Sequence, residues 1–139
     1  MNSIKKTNFS FAGLAMAVLI AAPNNASAVA GDVSVAKILN TSPLWADSGE
    51  SYHACNAVNV TTSSVNVTIT LLNSAGTVLQ TSPFTVAAGT SVELANGTTY
   101  SGFARCRFSV SNENYIRANI SVFHWTGSYY ETLATDSAR

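Results

Sequence analysis

ESYHACNAVNV, residues 50–60, sets a cysteine in a strand-like run, and FARCRFSV, residues 103–110, holds the chain's one other cysteine. In the second stretch Ala104, Cys106, Phe108 and Val110 alternate with Arg105 and Arg107. That period of two marks a half-buried strand. Whether Cys55 and Cys106 make a bond, a metal site or a nucleophile with a bystander decides much of the fold.

The start of the chain bears on the answer. Lys5 and Lys6 precede an apolar core from Phe11 to Ala22, followed by small-residue cleavage sites at Ala26–Ala28 and Ala28–Ala30. This is the pattern of a secretory signal peptide over residues 1–28, cleaved near 28 or 30, and its core is too short to span a membrane. No cysteine stands there for lipid attachment. Residues 29–139 then form a single domain of common size with no membrane span, exported to the periplasm, cell surface or medium. In so short an exported chain, two cysteines are expected to form one structural disulfide, Cys55–Cys106.

Beyond the leader the cations are Lys37, Arg105, Arg107, Arg117 and Arg139, outnumbered by seven Asp and Glu. A slightly acidic chain gives no electrostatic reason to expect a nucleic-acid partner. Low charge with abundant Ser, Thr, Val and Asn fits an extracellular all-β domain better than a disordered tail.

Period-two patterns dominate. Expected strands are Ser34–Leu39, Ser51–Val60, Val65–Leu72, Thr77–Gln80, Phe84–Val86, Thr90–Ala95, Phe103–Val110, Tyr115–Phe123 and Tyr129–Ala134. Turns fall at Ala46–Ser51, Asn73–Gly76, Asn96–Thr99 and Thr126–Ser128. In the run from Ser51 to Val60 the alternation weakens after Cys55, as a bulge would make it. Ile116, Ala118, Ile120 and Val122 share the even parity of the inward set around Cys106. Paired as a hairpin through Asn112–Asn114, with Asn114 left-handed, the two strands would set Arg107 opposite Asn119, Arg105 opposite Ser121 and Arg117 opposite Ser109. Phe103 would then oppose Phe123.

Seven to nine short strands with frequent turns predict an antiparallel β-sandwich. The layout resembles small secreted bacterial immunoglobulin-like β-sandwich modules, in the stretches VNVTITLLNSAGTVL (65–79) and SPFTVAAGTSVEL (82–94). The resemblance implies two sheets joined by the cysteines. The sequence departs from antibody-type domains in lacking a core Trp after Cys55 and in carrying Ala104 in place of the corner tyrosine.

Sharper chemistries find little support. His53, Cys55 and His124 could form part of a copper site, but the only methionines, Met1 and Met16, leave with the leader. A nucleophilic cysteine needs a free thiolate and a base, and an available partner thiol in an oxidising compartment argues against one. There is no hydrolase elbow, zinc-helix motif or phosphate loop. The expectation is a non-enzymatic module with no cofactor and no metal, a small hydrolase without a recognisable motif being the alternative.

The candidate binding face comprises Arg105, Arg107 and Arg117 with Trp125, Tyr129 and Tyr130. Arginine beside exposed aromatics suits an anionic envelope polysaccharide or a protein partner. The plainer reading pairs the arginines with Glu93 or Glu131 and leaves the aromatics as hairpin packing. Asn-X-Ser/Thr triplets at Asn40, Asn59, Asn66, Asn96 and Asn119 would be glycan acceptors only in a eukaryotic secretory host.

Overall fold

A computed structural model describes residues 35–47, 49–97 and 100–139. The signal peptide expected over residues 1–28 and its cleavage sites lie outside these, as do Ser34, Ser48, Thr98 and Thr99. Within them the alternating runs become strands β1 (Lys37–Asn40), β2 (Leu44–Ala46), β3 (Ser51–Asn59), β4 (Val65–Asn73), β5 (Val78–Val86), β6 (Ser91–Ala95), β7 (Gly102–Val110), β8 (Ile116–Trp125) and β9 (Tyr130–Ser137). Among the described residues no helix is long and apolar enough to cross a membrane.

Two antiparallel sheets form. Sheet A has the order β1-β7-β4-β5, with β2 also on β7, and sheet B the order β6-β3-β8-β9. Cys55 on β3 and Cys106 on β7 are bonded across the space between them, with Cα atoms 5.7 Å apart. The core around the bond includes Val67, Ile69, Leu71, Phe108, Ile116 and Ile120, the inward parity read from the sequence. The fold is immunoglobulin-like. β3 and β6 occupy one sheet, β4 and β7 the other, and the disulfide joins them as the bond between sheets does in antibody domains. The flanking strands are exchanged relative to that scheme. β8 lies beside β3 where a first strand would be, and β1 and β2 lie beside β7 where a last strand would be.

This exchange corrects the late hairpin. β7 and β8 belong to different sheets, and the segment between them crosses from A to B. A 3-10 turn, Glu113–Tyr115, makes the crossing, capped by the Asn112 side chain accepting from the Asn114 amide. Among the described residues only glycines have positive φ, so Asn114 is not left-handed. Alternation reports which face a strand buries, and both strands bury theirs in the one core, so shared parity does not make them neighbours.

Smaller corrections follow from hydrogen bonding. β3 pairs with β8 in unbroken register from Ser51–His124 to Asn59–Ile116, so it carries no bulge. The irregularities lie opposite Leu71/Leu72 and Val122/Phe123, where the register skips Leu79 of β5 and Leu133 of β9. Thr77–Gln80 and Phe84–Val86 belong to one strand, β5, which tolerates Pro83 because it is an edge. β2 escapes a sequence reading because three residues after Pro43 show no period. Between β1 and β2, the Thr41 amide donates to the Cys106 carbonyl, and Thr41 Oγ1 accepts from the Cys106 amide, both at 3.0 Å. A side-chain oxygen thus replaces the missing ladder carbonyl.

Asn59 organises the turn from β3 to β4. Its fully buried side chain donates to the Ser63 and Val86 carbonyls and accepts from the Thr61 amide and hydroxyl. Its amide nitrogen is therefore occupied in the folded chain, whatever the triplet around it permits in principle.

Candidate functional site

Outward-facing residues of β3 are those of opposite parity to Cys55, namely Tyr52, Ala54, Asn56 and Val58. Pairing sets Tyr52 opposite Phe123, Ala54 opposite Ser121, Asn56 opposite Asn119 and Val58 opposite Arg117. On the other side of β8, Trp125 opposes Tyr130 and Asn119 opposes Ser137. The outer face of sheet B is thus graded from an aromatic end to an amide row and then a guanidinium.

At the aromatic end the rings form a connected cluster. Tyr52 lies 5.4 Å from Phe123 and 5.3 Å from Tyr130, and Trp125 lies 4.9 Å from Tyr130, centroid to centroid. The turn at Gly127 (φ 92°) fixes the Trp125–Tyr130 pair, with the Thr126 amide and hydroxyl both donating to the Tyr129 carbonyl. Tyr52 and Phe123 are half-buried, whereas Trp125, Tyr130 and Tyr129 remain 38%, 52% and 63% exposed. Burial, then the Glu93 carboxylate and Tyr130, raise the Tyr52 hydroxyl above its ordinary pKa, which keeps it a hydrogen-bond donor.

Next to the rings the face is recessed. Ala54 and Ser121 point outward yet are buried, because larger neighbours stand on either side of them. Beyond them Asn56, Val58, Arg117, Ala118, Asn119 and Ser137 enclose a depression of about 180 Å³. Among the described residues the buried Oδ1 of Asn119 has no hydrogen-bond partner. A buried acceptor without a donor is costly, and such atoms in native folds call for an explanation. Arg117 donates to the Ile116 carbonyl beside it at 3.1 Å.

The expected face is therefore divided. Arg117, Trp125, Tyr129 and Tyr130 belong to sheet B, whereas Arg105 and Arg107 lie on the outer face of sheet A. Arg107 opposes Thr70 and Asn40, Arg105 opposes Leu72, and Phe103 meets Trp45 rather than Phe123. Among the described residues the one ion pair is His124 Nε2 with Glu50 at 3.8 Å, so neither Glu93 nor Glu131 neutralises an arginine. Tyr52 and Asn119 were missed as site residues, although the parity opposite Cys55 marks Tyr52 as outward.

Two other constellations bear on chemistry. Ser51 Oγ lies 3.0 Å from His124 Nδ1, whose other nitrogen faces Glu50, so serine, imidazole and carboxylate stand in line. Ser51 is only 2% exposed, which leaves its hydroxyl no path to a substrate. His53 is fully buried and its Nε2–H donates to the Leu44 carbonyl at 2.8 Å, while Nδ1 has no partner among the described residues. Cys55 is committed to the disulfide, so His53, Cys55 and His124 do not make a ligand set. Among the described residues no three potential metal-ligating side chains cluster.

A larger open groove of about 830 Å³ lies at the other end of the sandwich, lined by residues such as Val67, Phe84, Thr85, Val110 and Tyr115. It has no charged side chain, and Asn66 at its wall is satisfied by the Thr85 hydroxyl.

The fold has a solved counterpart. A Thermotoga maritima protein designated 1070 superposes with a TM-score of 0.55 at 12% identity, over 76% of this chain and 94% of that one. The two share a fold. FlgD from Xanthomonas campestris, described as concerned with hook capping in flagellar assembly, aligns with a TM-score of 0.32 at 16% identity, over 76% of this chain and 71% of that one. So loose a superposition bears on neither fold nor role. No protein-family profile matches the sequence, and no curated protein does.

Proposed function

We propose that this protein is an exported, non-catalytic binding module of the cell envelope or extracellular space, and that it grips a polysaccharide on the outer face of sheet B. What carries the reading is the exposed ring cluster around Trp125 and Tyr130 beside a recess bordered by Asn119 and Arg117. Sugar rings present apolar faces that stack on aromatics, and equatorial hydroxyls that donate to amide oxygens. A glycan chain along β8 would meet rings at Phe123 and Trp125, the small-residue floor at Ser121, and Asn119 and Arg117 further on. The fold itself is silent on ligand, since sandwiches of this kind carry unrelated functions.

The test is binding of residues 29–139 to a panel of envelope polysaccharides and defined oligosaccharides, beside Trp125→Ala and Asn119→Ala variants. Binding weakened by both supports the reading, whereas a blank panel from folded, oxidised protein overturns it. The second reading, a hydrolase, rests on the Ser51–His124–Glu50 alignment and ranks below because Ser51 is enclosed. It predicts turnover abolished by Ser51→Ala.

A further inference from the structure

The outer face of sheet A has a different chemistry. Phe103, Arg105, Arg107 and Ser109 point outward along β7 at alternate positions, spaced about 7 Å apart. Trp45 packs edge-on against Phe103 at 5.1 Å, and the two rings remain 51% and 46% exposed. Thr70 and Leu72, opposite the arginines on β4, point outward yet are only 5% and 3% exposed. Thr70 also meets Thr81 of β5, the two hydroxyls 3.0 Å apart. Arg105 reaches Asn40 Oδ1 at 3.4 Å, and among the described residues no carboxylate lies within ion-pairing distance of either arginine. Nearby, Asp47 accepts from Trp45 Nε1, and Asp136 accepts from the Ser42 amide.

We propose that this face is a second binding surface, specific for a carboxylate-bearing polysaccharide of the polyuronate type. Charge supplies the first argument. Two guanidiniums with no acidic partner among the described residues, on one face of a region in which acids outnumber bases beyond residue 28, form a local positive field, and the fork of each matches a carboxylate. Topology supplies the second. β7 is flanked by β1 and β2 on one side and β4 on the other, so its backbone is already paired. A peptide that binds by strand addition needs a free edge. This face recognises through side chains alone: guanidiniums for carboxylates, the Thr68 and Ser109 hydroxyls for ring hydroxyls, and Trp45 with Phe103 for a sugar face. This inference does not depend on the sheet B reading, whose variants lie on the opposite side.

Polygalacturonate is the probe, titrated calorimetrically into residues 29–139 between about 20 and 500 mM salt. Arg105→Gln with Arg107→Gln is expected to weaken binding about ten-fold or more. Lys37→Gln, an exposed cation on the same sheet but off this face, is expected to change it little. Trp125→Ala is expected to leave it intact. The proposal is overturned if polygalacturonate does not bind, if binding is indifferent to salt, or if Lys37→Gln costs as much as Arg107→Gln. It is equally overturned if polyglutamate binds as tightly, which would assign the face to an acidic protein. Circular dichroism of each variant separates lost binding from lost folding.

Discussion

Tyr52 and Phe123 oppose each other on adjacent strands, with ring centroids 5.4 Å apart and planes tilted by 31°. They form the half-buried base on which the more exposed Tyr130 and Trp125 rest. The base sets the position of the cluster, and in the proposed reading the exposed rings are the ones that stack on a glycan.

Trp125→Ala should therefore weaken glycan binding about ten-fold or more with little change in melting temperature. Tyr52→Ala should reduce both, because it removes the support as well as a contact. Parallel titration and thermal unfolding distinguish the two. Equal losses of stability would mean that the cluster is packing and nothing more.

Asn119→Ala separates function from fold more sharply. Deleting a buried acceptor that has no partner among the described residues should leave stability unchanged or raise it by up to about 1 kcal/mol. Binding should fall. A clear destabilisation in urea would show that Asn119 has a structural partner and is not a ligand acceptor.

Asn59→Ala should cost about 2–4 kcal/mol, since four hydrogen bonds at a buried site are lost together. The urea midpoint checks it. A shift within the range of ordinary surface substitutions would contradict the role assigned to this residue.

His53 predicts an acid-sensitive fold. Burial lowers its pKa below the ordinary histidine value, the bond to the Leu44 carbonyl offsetting part of the fall. Protonation would place a charge and a second N–H where nothing accepts it. With the folded value depressed, the unfolded chain binds the extra proton first. This stability is complete above the unfolded value of about 6.5 and is lost as pH falls through the folded one. His53→Gln should flatten the dependence of the urea midpoint between about pH 7.5 and 5. An unchanged slope would assign the acid response to other groups.

Much of the fold was legible because alternation is a direct record of burial. The inward sets around Cys106 and from Val65 to Leu71 are the observed core, and the cysteine pairing followed from export and number. What alternation does not encode is the neighbour of each strand, and so Arg105 and Arg107 were placed beside Arg117 when a sheet crossing separates them. The site was half legible. Trp125, Tyr129 and Tyr130 announced themselves as a cluster around a turn. Tyr52 and Asn119 join it only through the β3–β8 register, which no local pattern specifies.

The disulfide carries its own prediction. Its ends are 51 residues apart, so the chain-entropy model assigns about 4 kcal/mol to the bond. The Cys55→Ala, Cys106→Ala variant should lose most of that at equilibrium, read from urea unfolding. A loss well under 1 kcal/mol would mean that the sheets hold together without it.

The most direct measurement for the central claim is a two-dimensional NMR titration of oxidised residues 29–139 with neutral hexasaccharides such as cellohexaose and chitohexaose. Shifts confined to the Trp125 indole, the Tyr52, Phe123 and Tyr130 neighbourhood and the Asn119 side-chain amide are the predicted result. Shifts centred on the groove beside Phe84 and Val110, or none with any glycan, would contradict it.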